Sequence, residues 1–268
     1  MTNEEKKIFR EFLPKLNEKC KKMCSDNAHG FIQNKSPQTN AIAHINKKFT
    51  LSFDLSDFFD TIKPHHLEKK LSKEEIAILM PDSCAYQGLP TSPQVSNLAA
   101  IELDRAINKC LNEKDIIYTR YADDITFSCN KARFDDVFLK KLNEIIISEG
   151  FLINEKKTRV QNKTVRQEVT GVTVNEKLNL QQDYIRNVRA MLHNWEKYGY
   201  ENANAKFAKF YPREKGFMRN KVIPPLESVV SGKIMFLGMV RGKEDVLYKK
   251  YNDQLKKLIE LKKSNNGR

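Results

Sequence analysis

The sequence predicts an α+β fold, with an antiparallel sheet within residues 49–180 joined to a basic, all-helical lobe over 181–268. Three observations predict it. Residues 49–55 alternate, with Leu51, Phe53 and Leu55 on one face and Ser52 and Asp54 on the other, which is the period of a half-buried strand. Residues 115–129 set two β-rich runs, Ile116–Tyr121 and Ile125–Cys129, around a tight Ala-Asp-Asp turn, the pattern of a hairpin. Beyond residue 181 the apolar spacing turns helical, and about +10 of the formal +13 charge lies there.

The elements follow in order. Residues 4–24 carry Ile8, Phe12, Leu16 and Cys20 at helical spacing. Residues 26–48 are polar, contain Gly30 and Pro37, and read as loop with short extended pieces. After the strand at 49–55, Pro64 opens a helix that runs to about Met80, where Pro81 stops it. A loop carries Gln87-Gly88 and Ser92-Pro93, and a helix then runs to about Asn112. The hairpin at 115–129 precedes a helix over 134–148, with Gly150 as a C′ glycine. Strands are expected at about 158–161 and 167–174, the second turning at Asn175-Glu176-Lys177. Helices follow at 182–198, 201–210, 223–239 and 244–264.

Composition narrows the function classes. No apolar run is long enough to span a bilayer, and no signal-peptide stretch follows Met1, so a cytoplasmic protein without a membrane partner is expected. The five cysteines are scattered and make no zinc set, so reduced thiols are expected. The basic C-terminal third interleaves its charge with Trp195, Tyr198, Tyr200, Phe207, Phe210 and Tyr211, which suggests a track for a polyanion such as nucleic acid.

The acids carry the chemistry. Asp54 lies on the polar face of a strand near its end, and Asp123 and Asp124 lie at a hairpin tip. An Asp-Asp pair in a turn is by itself ordinary turn chemistry. If the two elements share a sheet, three carboxylates converge on one edge, a costly cluster unless divalent cations fill it. Hard oxygen ligands of this kind suit Mg²⁺.

Four runs then resemble, in order, the motifs of reverse transcriptases. Phe53-Asp54-Leu55-Ser56-Asp57-Phe58-Phe59-Asp60 resembles the first catalytic motif of their palm, and Tyr121-Ala122-Asp123-Asp124 the second. Gln87-Gly88 with Ser92-Pro93 resembles the loop that holds nucleotide and template, and Gly150-Phe151-Leu152 through Lys157-Thr158 the next palm motif. Asn40-Ala41-Ile42-Ala43-His44 and Val169-Thr170-Gly171 resemble two signatures of the bacterial retron group. Read from the residues alone, Asn40 could equally cap a turn, His44 could be a satisfied histidine under the sheet, and Gly171 could allow close backbone approach.

The resemblance implies a polymerase palm over 49–180, reduced fingers over 1–48 and a helical thumb over 181–268. It implies that Asp54 and Asp123 bridge two Mg²⁺ ions, with Mn²⁺ as a substitute, that Asp124 supports the cluster and that the Leu55 carbonyl adds an oxygen. Asp57, Phe58 and Phe59 would meet the nucleotide, Phe59 excluding a 2′-hydroxyl. One of Phe58 and Phe59 is expected in the core, since neighbours on a strand face oppositely. Gln87 and Gly88 would pack at the nascent base pair. Lys157, otherwise a plain surface lysine, would give a proton or charge to the departing pyrophosphate. Asn40, His44, Val169, Thr170, Gly171, Arg186 and Arg189 would touch nucleic acid, with Val169–Val174 as the hairpin that grips the primer.

The implied partners are a cognate structured non-coding RNA, dNTPs, the RNA–DNA hybrid, a single-stranded DNA product and a separate effector protein in phage defence. The chain departs from the family in its short run before Asp54, which lacks a clear basic strand pair for the triphosphate. Two alternatives stay open: another bacterial reverse transcriptase class, intron-derived, abortive-infection or untemplated, and a non-catalytic RNA-binding scaffold with a polymerase fold.

Overall fold

The computed structural model describes residues 3–111, 115–131, 134–215 and 222–266. The chain divides into two compact units, Met1–Lys177 and Leu178–Arg268. The first unit is built on a four-stranded antiparallel sheet. Its strands are β1 (Phe49–Asp54), β2 (Ile116–Tyr121), β3 (Asp124–Cys129) and β4 (Arg159–Asn162), in the order β2-β3-β1-β4. The α+β expectation with an antiparallel sheet is borne out.

The register sorts side chains by chemistry. Rows Phe49/Cys129/Ile116, Leu51/Phe127/Tyr118 and Phe53/Ile125/Arg120 face one way, and rows Thr50/Ser128/Ile117, Ser52/Thr126/Thr119 and Asp54/Asp124/Tyr121 face the other. The apolar face is buried in a core with Leu98, Ile101, Leu103 and Ile107 from α5 (Ser92–Ala99) and α6 (Ile101–Leu111), and with Phe138, Leu142 and Ile146 from α7 (Asp136–Ser148). Leu16 of α1 (Asn3–Met23) joins the same core. The hydroxyl-rich face leads to the two aspartates at one end.

Several expected elements differ. The segment 26–48 is not all loop: α2 (Pro37–Ile42) forms there, because Ser36 and Thr39 make a reciprocal capping box and Pro37 occupies the first turn. Asp57 takes φ 46° and starts the four-residue helix α3 (Phe58–Thr61), so Phe58 and Phe59 stand on a helix, not a strand. The helix expected over 64–80 splits into a 3₁₀ turn, Pro64–His66, and α4 (Lys73–Leu79), because Ser72 and Glu75 start a new helix with their own capping box. The helix expected to about Asn112 is broken at Ala100, between α5 and α6, and its end at Asn112 lies outside the described residues. The run 167–174 folds back on itself: β5 (Glu168–Val169) pairs with β6 (Val172–Thr173), and the turn falls at Thr170–Gly171, not at Asn175–Lys177.

The second unit is helical as expected: α8 (Gln182–Tyr198), α9 (Tyr200–Lys215), α10 (Leu226–Arg241) and α11 (Val246–Asn266). Val188, Leu192, Trp195, Val230, Ile234 and Leu237 are among its buried residues. Among the described residues no helix is long and apolar enough to cross a membrane.

Candidate active site

Asp54 ends β1, and Asp124 begins β3 directly opposite it. The two stand on the same face of adjacent strands, so register alone brings their carboxylates into hydrogen-bond contact. Burial, then the hydrogen bond and charge of Asp54, push the Asp124 carboxyl up to about 7. Burial also pushes Asp54 up, but the hydrogen bonds from Asp124 and Lys157 and the charge of Lys157 outweigh it and hold Asp54 below the ordinary range. Lys157 is the last residue of the 3₁₀ turn Glu155–Lys157, and its ammonium pairs with Asp54 Oδ2. Asp123 sits in the turn itself, with its carbonyl accepting from the Leu55 amide at 3.0 Å. Burial, then the charge of Asp54, raise its carboxyl as well.

Register sets Asp124 opposite Asp54, and Asp123 is a charge neighbour of Asp54 in the turn, so the three carboxylates expected from the sequence lie at one edge of the sheet. Among the described residues no three His, Cys, Asp or Glu side chains are grouped to hold an ion. The donor chemistry still fits a divalent cation. Neighbouring carboxylates, one of them paired with a lysine, are the arrangement that a hard cation can take over by displacing the ammonium and a proton. Asp54, Asp123 and Asp124 are the side chains that would hold it.

A buried network that sequence reading missed sets the turn from behind. Ala122 adopts φ 58°, unusual for a residue with a Cβ. Arg120 Nη1 donates to the Ala122 carbonyl (3.2 Å) and to Asn97 Oδ1 (3.1 Å), while its Nε and Nη2 each donate at 2.8 Å to the two oxygens of Asp104. The Tyr118 hydroxyl donates to Asp104 Oδ1 at 2.7 Å. Asn97 Nδ2 donates to the Gly30 carbonyl at 2.8 Å. Gly30 packs on the turn so closely that a Cβ there would lie 2.4 Å from the Ala122 nitrogen. The signals were present: Arg120 continues the Ile116/Tyr118 face of β2, and Asp104 falls on the Ile107/Leu111 stripe of α6. A charge on each apolar face marks a buried pair.

The remaining expected residues separate. Asn40 and His44 are buried and touch protein, not solvent. The His44 Nδ1 lies 2.7 Å from Ser128 Oγ and its Nε2 2.7 Å from Thr119 Oγ1, and burial pulls its pKa down to about 3. A neutral histidine therefore ties α2 to the hydroxyl-rich face. Asn40 Nδ2 donates to Thr170 Oγ1 at 3.3 Å. The two runs that resemble retron signatures are thus one packed unit, α2 under the β5–β6 turn. Within it Val169 is buried, while Thr170 and Gly171 line the same cavity as Asp54 and Asp124.

Phe58 is buried and Phe59 packs partly buried at its edge, with ring centroids 5.6 Å apart. Asp57, Gln87 and Gly88 are exposed, and neither Gln87 nor Gly88 lines the cavity at the aspartates. Arg186 and Arg189 stand exposed on α8, Arg186 paired with Asp183 at 3.3 Å.

Comparison with known proteins gives the family. A family model described as reverse transcriptase (RNA-dependent DNA polymerase) matches residues 3–174. The chain is 33% identical over 196 residues to the retron Mx65 reverse transcriptase of Myxococcus xanthus, covering 63% of this chain and 46% of that protein. It is 30% identical over 213 residues to the retron Mx162 reverse transcriptase of the same organism, covering 63% and 44%. It is 32% identical over 196 residues to the retron Ec86 reverse transcriptase of Escherichia coli, covering 69% and 59%. The matched stretch spans about half the length of these relatives. The resemblance to retron reverse transcriptases read from the motifs is borne out.

Proposed function

Because this chain belongs to the reverse transcriptase family, we propose that it is an RNA-directed DNA polymerase of the retron type. The observation that carries the reading is the contact of Asp54 with Asp124 at the open end of a hydroxyl-lined sheet face, with Lys157 across it.

In this reading Asp54 and Asp124, with Asp123 and the Leu55 carbonyl beside them, hold two Mg²⁺ ions, and Mn²⁺ can substitute. When bound, the ions supply the positive charge that makes an attacking hydroxyl nucleophilic and stabilises the leaving pyrophosphate. Lys157 is released from Asp54 by the same exchange, and its ammonium becomes available to the pyrophosphate oxygens. Phe59 would exclude a 2′-hydroxyl, and Asp57, Phe58, Gln87 and Gly88 would shape the nucleotide's surroundings. Residues 49–180 serve as palm and 181–268 as thumb, Arg186 and Arg189 meeting phosphates there. Asn40, His44 and Val169 act from beneath by holding the Thr170–Gly171 turn.

The resemblance to retron enzymes extends the proposal. A cognate structured RNA serves as template, a 2′-hydroxyl of that RNA as primer, and part of it is copied into single-stranded DNA that stays attached. A separate effector protein in phage defence, and a place in the cytoplasm, complete the proposal. The test is to extract the small nucleic acids that copurify with the protein. A discrete single-stranded DNA whose size shifts on RNase treatment is expected. Heterogeneous cellular RNA alone would overturn the retron reading, and DNA whose sequence is independent of the supplied RNA would mean untemplated synthesis.

A further inference from the structure

The cavity at the aspartates, about 240 Å³, has a second charged group beyond Lys157. Its wall includes Arg159, Gln161 and Arg166 as well as Asp54, Asp124, Thr126, Thr170 and Gly171. The sequence motifs assign none of the first three. On the reading above, we propose that Arg159, seconded by Arg166, is a phosphate-oxyanion subsite for the nucleic-acid strand whose reactive hydroxyl lies at Asp54.

Three observations support it. First, the Arg159 donors are open. Lys157 is paired with Asp54, and Arg166 Nε stands 3.6 Å from Glu168 Oε2, whereas among the described residues Arg159 has no carboxylate within ion-pair distance and acts on Asp54 only from further off. An exposed guanidinium whose fork makes no such contact can take phosphate oxygens. Second, the position suits a strand. Arg159 is the register partner of Ser52, two residues before Asp54 on the same face. It therefore stands roughly 7 Å back along β1 from Asp54. Successive phosphodiesters of one strand advance by about 3.4 Å along the duplex axis. A strand ending at Asp54 would carry its first or second phosphodiester past Arg159. An incoming triphosphate, which meets that hydroxyl from the opposite side, would lie toward Lys157.

Third, the loop bearing Arg166 is fixed. Gln161 Nε2 donates to the Arg166 carbonyl at 2.8 Å, and Asn175 Nδ2 donates to the Val165 carbonyl at 2.8 Å. The Gln167 amide donates to Asn175 Oδ1 at 2.9 Å. The guanidinium is thus carried on a pinned turn, which lowers the ordering cost of a phosphate contact.

The test measures binding of a labelled RNA-template/DNA-primer duplex by anisotropy across KCl concentrations, without divalent ions, for wild type, Arg159→Gln, Arg166→Gln and Arg159→Lys. The KM for dNTP is measured beside it. Each lost phosphodiester contact should lower the slope of log K against log salt by about 0.7–0.9. Arg159→Gln should show that loss with the KM for dNTP unchanged, Arg166→Gln a smaller one, and Arg159→Lys should keep the slope. An unchanged slope with a several-fold higher KM for dNTP would assign the subsite to the triphosphate instead. No change in either quantity overturns the proposal, as does an equal loss in Arg159→Lys. Thermal midpoints and far-ultraviolet circular dichroism of each variant separate charge loss from misfolding. A chain that bound the duplex through Arg159 but made no DNA would refute the polymerase reading and leave the subsite standing.

Discussion

The two faces of the central sheet each carry an ion pair, and the pairs differ in kind. Behind the sheet, Asp104 and Arg120 are fully buried, and Arg120 spends its donors on Asp104, Asn97 and Ala122. In front, Lys157 is 61% exposed and grips an Asp54 that is 19% exposed and also touches Asp124. The rear pair is complete, out of reach of water and unable to exchange. The front pair is open, shared and exchangeable. The sheet thus separates holding the turn from doing chemistry at it. A residue at the turn can carry a raised pKa because the rear network over-determines the backbone beneath it.

The largest effect should come from breaking the rear pair. Arg120→Met strands a buried carboxylate, and the expected loss is about 3–5 kcal/mol of folding free energy in urea denaturation. Replacing both partners, Asp104→Leu with Arg120→Met, should recover much of that loss, since no charge is then left unpaired. A single substitution costing nothing would mean that the two faces do not differ as described. Next in size is Gly30→Ala. Its Cβ meets backbone at 2.4 Å, so the turn must move. The expected cost is about 1–3 kcal/mol, accompanied by a fall in nucleotide incorporation larger than the stability loss explains. Activity that merely tracks stability would show that Gly30 does not position the turn.

Much of this was legible in the sequence, for physical reasons. The alternation around Asp54 and the tight turn at Ala122-Asp123 are local patterns, and local patterns survive folding. Which residue lies opposite Asp54 was not legible, because strand register is a property of two distant segments. The helix α2 was hidden in a polar stretch, although Ser36-Pro37 and Thr39 are its start signal. The turn at Thr170–Gly171 was masked by the β-rich letters around it. Thr170 takes φ 46°, which its own preferences oppose, while Asn40 bonds its hydroxyl. His44 likewise looked like a nucleic-acid contact until Ser128 and Thr119 were seen to saturate both ring nitrogens.

Smaller effects should appear with pH. The Asp124 carboxyl rises from its ordinary 3.8 to about 7 in the fold. The folded chain therefore keeps a proton that the unfolded chain releases. That contribution to stability is full below about pH 4 and is lost as pH rises through about 7. Asp123 is shifted the same way, while Asp54, held low, acts only at more acidic pH. His29, His44 and His66, all held low by burial, pull the opposite way in this window, so the Asp124 effect is read as a difference. Without divalent ions the thermal midpoint of the wild type minus that of Asp124→Asn should fall between pH 5 and pH 7.5, and Mg²⁺ should restore more at pH 7.5 than at pH 5. A difference that rises over this window would contradict the front-face description. The smallest effect belongs to Lys157→Met. As an exposed pair, its loss should move the thermal midpoint by at most about 2 °C. The same change should tighten Mg²⁺ binding, measured by calorimetry, because no ammonium then competes for Asp54.

The contrast between the faces rests above all on the front pair being catalytic. The most direct measurement is Mg²⁺-dependent incorporation of dNTPs on a primed RNA template, comparing wild type with Asp54→Asn and Asp124→Asn. Both variants should lose at least about a hundredfold of the rate while keeping their circular dichroism. Undiminished synthesis by folded Asp124→Asn would contradict the assignment of the reaction to this edge of the sheet.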